Sequence, residues 1–99
     1  MKNQLLELLK KEPDDSFLNY ALALEYAKAN DVLIAIELIE KVISKDENYL
    51  GAYYQLGKYY ENISATEKAI VTYKKGIVIA KKLLNGKTEG ELRQALLLL

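Results

Sequence analysis

Residues 16 to 49 align without a gap on residues 50 to 83, a period of 34. No other feature restricts the fold as much, because a unit this short cannot enclose a core of its own and must share one with stacked neighbours. Seven aligned pairs are identical: Tyr20 with Tyr54, Leu22 with Leu56, Tyr26 with Tyr60, Ala35 with Ala69, Ile36 with Ile70, Lys41 with Lys75 and Ile43 with Ile77. Small residues also coincide at Ala23 and Gly57.

Within each unit apolar residues recur at three- and four-residue spacing, which is the helical period. Leu5, Leu6, Leu8 and Leu9 give a first helix over roughly 3–12, ended by Pro13, which disfavours helical geometry at Glu12 and cannot donate to the ladder. Asp14, Asp15 and Ser16 are candidate caps for a second helix reaching about Ala29. Asn30-Asp31 turns the chain into a third helix ending near Lys45, and Asp46-Glu47-Asn48 makes the next break. A fourth helix is expected over 49–62. Ser64 with Glu67 has capping-box spacing ahead of a fifth helix ending near Leu84. Thr88 with Glu91 repeats that spacing ahead of a terminal helix over 88–99, after an Asn85-Gly86-Lys87 loop.

Two helices of a hairpin approach closely only where one presents almost no side chain. Gly57 and Ala69 serve as such contacts in the second unit, with Leu56, Tyr60, Ile70 and Tyr73 filling the holes beside them. Gly76, in mid-helix, costs about 1 kcal/mol against alanine, which points to another helix lying directly on it.

Tyr53-Tyr54-Gln55-Leu56-Gly57, followed by Tyr60, Ala69 and Tyr73, resembles the tetratricopeptide repeat family, which places W-x-x-L-G, Y, A and an aromatic at those positions. Leu22, Ala23, Tyr26 and Ala35 match in the first unit, whereas Asn19 stands at the aromatic fourth position and Glu47 where proline is usual. The resemblance implies an all-α, right-handed antiparallel helix-hairpin solenoid of about six helices, forming one domain over 1–99. Its parts are a half repeat over 1–15, repeats over 16–49 and 50–83, and a capping helix over 84–99.

The same resemblance implies protein binding or scaffolding, with an unknown protein or peptide seated in a concave groove lined by the first helix of each repeat. The positions carried over are Phe17, Tyr20, Ala21, Leu24, Ala27 and Lys28 in the first repeat, and Gly51, Tyr54, Gln55, Lys58, Glu61 and Asn62 in the second. An apolar patch beside donors and acceptors suits an amphipathic helix or an extended segment with one or two anchors. The competing reading has a terminal helix folded over Phe17, Tyr20 and Leu24, making them core. Tyr20, Leu24 and Gln55 do not supply the Lys and Asn set with which some members of the family grip a terminal carboxylate.

Composition removes other functions. With no cysteine and no histidine the chain lacks a thiolate, the usual zinc ligands and the commonest near-neutral acid-base group, so no catalytic site and no cofactor is expected. Fourteen basic and fourteen acidic residues cancel, which argues against nucleic acid as a partner. The cancellation hides a division: residues 1–49 carry ten acidic and six basic side chains, residues 50–99 four and eight. No apolar run reaches membrane-spanning length and no leader pattern opens the chain, so the cytoplasm is the default compartment. Gly86-Lys87-Thr88 ends like a phosphate-binding loop, but no strand precedes it and Lys81 stands where an earlier glycine is required.

Lys68, Lys75 and Lys82, joined by Lys74 and Lys81, form a basic stripe that reads either as a solvated face or as a docking surface for an acidic partner. With the acidic first half, it makes self-association into a homodimer or longer head-to-tail assembly the alternative to groove binding. The apolar end Ala95-Leu96-Leu97-Leu98-Leu99 leaves the same alternative open.

Overall fold

The computed structural model describes residues Met1 to Leu99 as six helices: α1 (Lys2–Lys11), α2 (Ser16–Lys28), α3 (Val32–Lys45), α4 (Leu50–Asn62), α5 (Thr66–Lys82) and α6 (Gly86–Leu97). Each packs on its sequence neighbour, so the chain is an all-α helix-hairpin solenoid, 38 × 29 × 19 Å in extent.

The period of 34 extends to the backbone hydrogen bonds of the loops. Where α2 and α4 end, Asp31 donates to Tyr26 O and Ala65 to Tyr60 O, at 2.9 and 2.8 Å, around Asn30 and Ser64 at φ 66° and 61°. These are the six-to-one bonds of a left-handed helix stop. Where α1 and α3 end, Glu12 and Asp46 are extended, and the turns close by Asp15 to Glu12 O and Tyr49 to Asp46 O.

Asn19 departs from the aromatic expected at its position, yet it does the work of its counterpart. The buried Asn19 side chain donates to Pro13 O at 3.0 Å, and Tyr53 Oη donates to Glu47 O at 2.6 Å. Pro13 and Glu47 are themselves 34 residues apart. Either side chain ties the first turn of its helix to the preceding loop.

Ala23, Ala35 and Ala69 are fully buried, and Gly57 and Gly76 are buried with them. A Cβ on Gly57 would stand 2.1 Å from the Tyr73 ring. One on Gly76 would meet Tyr53 Cβ at 2.7 Å and Leu92 Cδ1 at 3.0 Å, so α4 and α6 do lie on it. The main core runs from Ala23 to Ala95, and a smaller one of Leu5, Leu18 and Leu22 attaches α1. Leu8 stands two periods before Gly76 and one before Val42; it is 51 % exposed where Val42 is 1 %, because α1 lacks the second flanking helix that α3 has in α4.

Both expected capping boxes are absent. Ser64 is taken up by the left-handed stop of α4, so Ala65 is the N-cap of α5 and has no side-chain cap bond. Asn85 caps α6 instead, its side chain accepting from Thr88 N at 3.0 Å, and Thr88 lies inside the helix. α5 also departs from the period. Ala80 replaces the Glu12 and Asp46 of the earlier helix ends, and as a strong helix former it lets α5 run on to Lys82. Leu84, at φ 57°, then makes the stop. The buried Leu92 of α6 consequently comes two residues later than the period predicts from Leu56; the residue at the predicted place is Gly90, which is exposed.

Candidate functional site

The three first helices, α2, α4 and α6, hold the candidate residues. Asp15 starts α2 by accepting from Leu18 N at 2.8 Å. Apolar side chains then continue around the helix: Leu18, Leu22 and Ala23 are buried, while Tyr20, Ala21, Leu24 and Ala27 are half-buried and Phe17 is 64 % exposed. A helix apolar on more than its packed side keeps some of that surface in water. Neither α1 nor α6 covers Phe17.

Tyr20 bridges the gap between α2 and α4. Its ring centroid lies 5.1 Å from that of Tyr49, and its hydroxyl would be 3.2 Å from a Cβ on Gly51. Gly51 therefore gives the ring a bare backbone to lie on, and Tyr20 floors the face. Leu24 packs against the main core from the same side. Lys28, at the exposed end of α2, pairs with Glu25 at 3.5 Å.

On α4 the side chains are polar and mutually engaged. Tyr54 packs tilted against Tyr73 at 6.5 Å, with Lys58 Nζ 5.5 Å from the Tyr54 ring and 3.9 Å from Glu61. Glu61 accepts a hydrogen bond from the Tyr73 hydroxyl. Burial first, and that carboxylate second, push the Tyr73 phenol well above its usual range. Glu61 is therefore an internal acceptor as well as a surface charge. Tyr59 is buried with its hydroxyl unpartnered, and burial raises its phenol to about 12.

Tyr54 and Lys58 meet Glu91, Gln94 and Ala95 of α6, and Leu98 just past its end, in a shallow cleft of about 240 Å³. The α6 residues were absent from the sequence reading, because the repeat that predicts groove positions is displaced by two residues there; the apolar stripe Leu92, Ala95 and Leu96 gave the phase. Asn62 does not join this cleft. It lines another, with Asn30, Asp31 and Ile63, at the end where α2 and α4 stop. Gln55 is half-buried on α4 and does not line the α4–α6 cleft.

Nowhere do three or more Asp or Glu side chains converge in a way that would hold a metal ion. No helix is long and apolar enough to cross a membrane.

No protein-family model and no curated protein matches the chain. Solved structures do. A tetratricopeptide repeat domain protein from Salinibacter ruber, determined in solution, is 41 % identical, with 86 % of each chain covered and a TM-score of 0.82. The crystal structure of a tetratricopeptide repeat domain protein from the same organism gives 41 % identity over 84 % of this chain and 92 % of that one, with a TM-score of 0.78. The TPR2B domain of yeast Sti1, in complex with an Hsp70 peptide, shares the fold at 23 % identity and TM-score 0.89, over 96 % of this chain and 76 % of that one.

Proposed function

This chain belongs to the tetratricopeptide repeat family and is a protein-interaction module, and we propose that it seats an amphipathic helix or extended peptide on the face built by α2, α4 and α6. In this reading 16–49 and 50–83 are whole repeats, 1–15 contributes a second helix ahead of them, and 84–99 caps the array. The apolar anchors of the partner rest on Phe17, Tyr20 and Leu24. Its polar groups meet Gln55, Lys58, Glu91 and Gln94, with Lys28, Glu61 and Asn62 at the margin and Tyr54 between the two halves.

The observation that supports this most is Phe17: a phenylalanine 64 % exposed, beside the half-buried Tyr20 and Leu24, on a helix whose opposite side is core. Large aromatic residues on such a face are the usual binding hot spots. A peptide-binding complex of a fold neighbour, the Sti1 domain with its Hsp70 peptide, agrees with a peptide partner class.

The test is a peptide-display selection on the full chain, with the selected peptides measured by calorimetry against Phe17→Asp with Lys58→Glu. Both side chains reach solvent, so folding should be kept. Affinity is expected to fall at least about tenfold, some 1.4 kcal/mol. Equal affinity for both proteins would place the binding surface elsewhere.

A further inference from the structure

Met1, Leu8 and Phe17 lie open at the α1 end of the array, 80, 51 and 64 % exposed. Each has a counterpart one period later that is covered. Ala35 and Val42, on α3, are buried, and Gly51, on α4, lies under the Tyr20 ring. The helix standing over these counterparts is α2, which packs on α3 along its length. Two periods after Leu8, Gly76 of α5 is met in the same way by Tyr53 of α4. The chain therefore displays twice what covers such a surface: an antiparallel helix placed ahead of the second helix of its repeat. α1, which we read as a second helix, has α2 on one side and no helix on the other.

We propose that this end of the array takes an amphipathic helix of another protein, lying antiparallel to α1 and standing ahead of α2 as α2 stands ahead of α4. The chain's own repeats specify the chemistry of that helix. Leu5 comes two periods before Tyr73, whose ring leaves no room for a Cβ on Gly57, and one before Ile39, which is buried with Ala23. The docking helix accordingly needs a small residue over Leu5. Leucine before it and an aromatic three residues after it fill the holes alongside, as in Leu22-Ala23 with Tyr26 and Leu56-Gly57 with Tyr60. Tyr53 meets Gly76, and their counterparts one period earlier are the smaller Asn19 and the larger Val42. Over Leu8, larger again, the α2 pattern is the one that fits. A second copy of this chain does not suit the place. Its α2 and α4 are enclosed and only α6 has a free side; with Leu92 the counterpart of Leu56, Arg93 stands at the position of Gly57 and Glu89 at that of Tyr53, paired at 2.9 Å. An arginine where the repeat needs a small residue holds a further helix off. The proposal rests on reading 1–15 as the second helix of a repeat and not on the peptide face of α2, α4 and α6, although Phe17 borders both.

The experiment is an NMR titration of the full isotope-labelled chain with a synthetic peptide of residues 15–29, the α2 sequence with its cap, carrying a short lysine tail for solubility. Amide shifts confined to α1 and the start of α2 should saturate, with a dissociation constant of about 1 mM or tighter, since a peptide this short must also fold on binding. Leu8→Glu, a change at a half-exposed side chain, should weaken binding at least about tenfold. Ala23→Leu in the peptide, which puts a branched side chain over Leu5, should weaken it by about as much. Lys58→Glu in the protein should leave the affinity unchanged. Circular dichroism checks that both protein variants are folded, and the altered peptide tests the contact on an unaltered protein. Absence of saturation, shifts centred on Tyr54 and Glu91, or equal affinity for the altered protein or the altered peptide would each overturn the proposal. End-to-end oligomers of the wild type in sedimentation velocity would do so in favour of a second copy. Leu8 and Lys58 lie on different surfaces, so failure here leaves the peptide-face reading standing, and failure of that reading leaves this one.

Discussion

At the scale of single residues, glycines of the same helical context differ sharply in what surrounds them. Gly57 faces the ring of Tyr73, which is fully buried and tied to Glu61 through its hydroxyl, so the ring cannot swing aside. Gly57→Ala should cost about 3 kcal/mol, a fall in melting temperature of more than ~12 °C. Gly90 has nothing within 4 Å of its missing Cβ, and Gly90→Ala should gain about 0.5–1 kcal/mol. Thermal denaturation of the two variants distinguishes these outcomes in one experiment. The tight contact at Gly57 was legible because the period pairs it with Ala23. The role of Asn19 was not, since the carbonyl it reaches belongs to a loop whose path no side-chain pattern records.

The phenols give a second prediction at this scale. Tyr60 is raised to about 12, by burial first and then by its bond to the Glu40 carboxylate. An acid whose folded pKa exceeds its unfolded value of 10.0 stabilises the fold fully below that value and loses this contribution as pH rises toward 12. The urea midpoint should therefore drop between about pH 10 and pH 12, and drop less in Tyr60→Phe. Tyr59 and Tyr73 shift in the same direction, so the variant should retain part of the decline.

At the scale of helices, the number and order of elements followed from the apolar period and the start of α2 from its Asp15 cap, whereas the starts of α5 and α6 did not. Ser-x-x-Glu spacing marks a capping box only when the serine backbone is extended, and Ser64 is held left-handed by the end of α4. Thr88 lost its cap to Asn85, which lies three residues earlier and reaches Thr88 N. Leu84 adds a strained position that no sequence rule flags: a leucine at φ 57° and 92 % exposed, with no packing to offset its conformation. Leu84→Gly should raise stability by about 1 kcal/mol, read as a higher urea midpoint at unchanged slope. Asp15→Ala, by removing the cap at Leu18 N, should lower it by about 1 kcal/mol.

For the whole molecule, the repeat announced both the stacked architecture and the face that α2 and α4 present. The contribution of α6 to that face was hidden, because the extra length of α5 takes the terminal helix out of register. Leu92 is the residue that anchors it, fully buried against Gly76. Leu92→Ala should cost about 3 kcal/mol and loosen the cleft at Tyr54 and Lys58, seen as faster amide exchange along α6.

The overrun of α5 also decides how an engineer would elongate this protein. A copy of 16–49 spliced in after Tyr49 recreates at its new seam the extended turn that Asp46 already makes, and the added rung should dock in phase. A copy of 50–83 placed after Leu83 would follow the overrun of α5 without the Leu84 stop and Asn85 cap that now end it, and the rung beyond that seam would be out of phase with its neighbour.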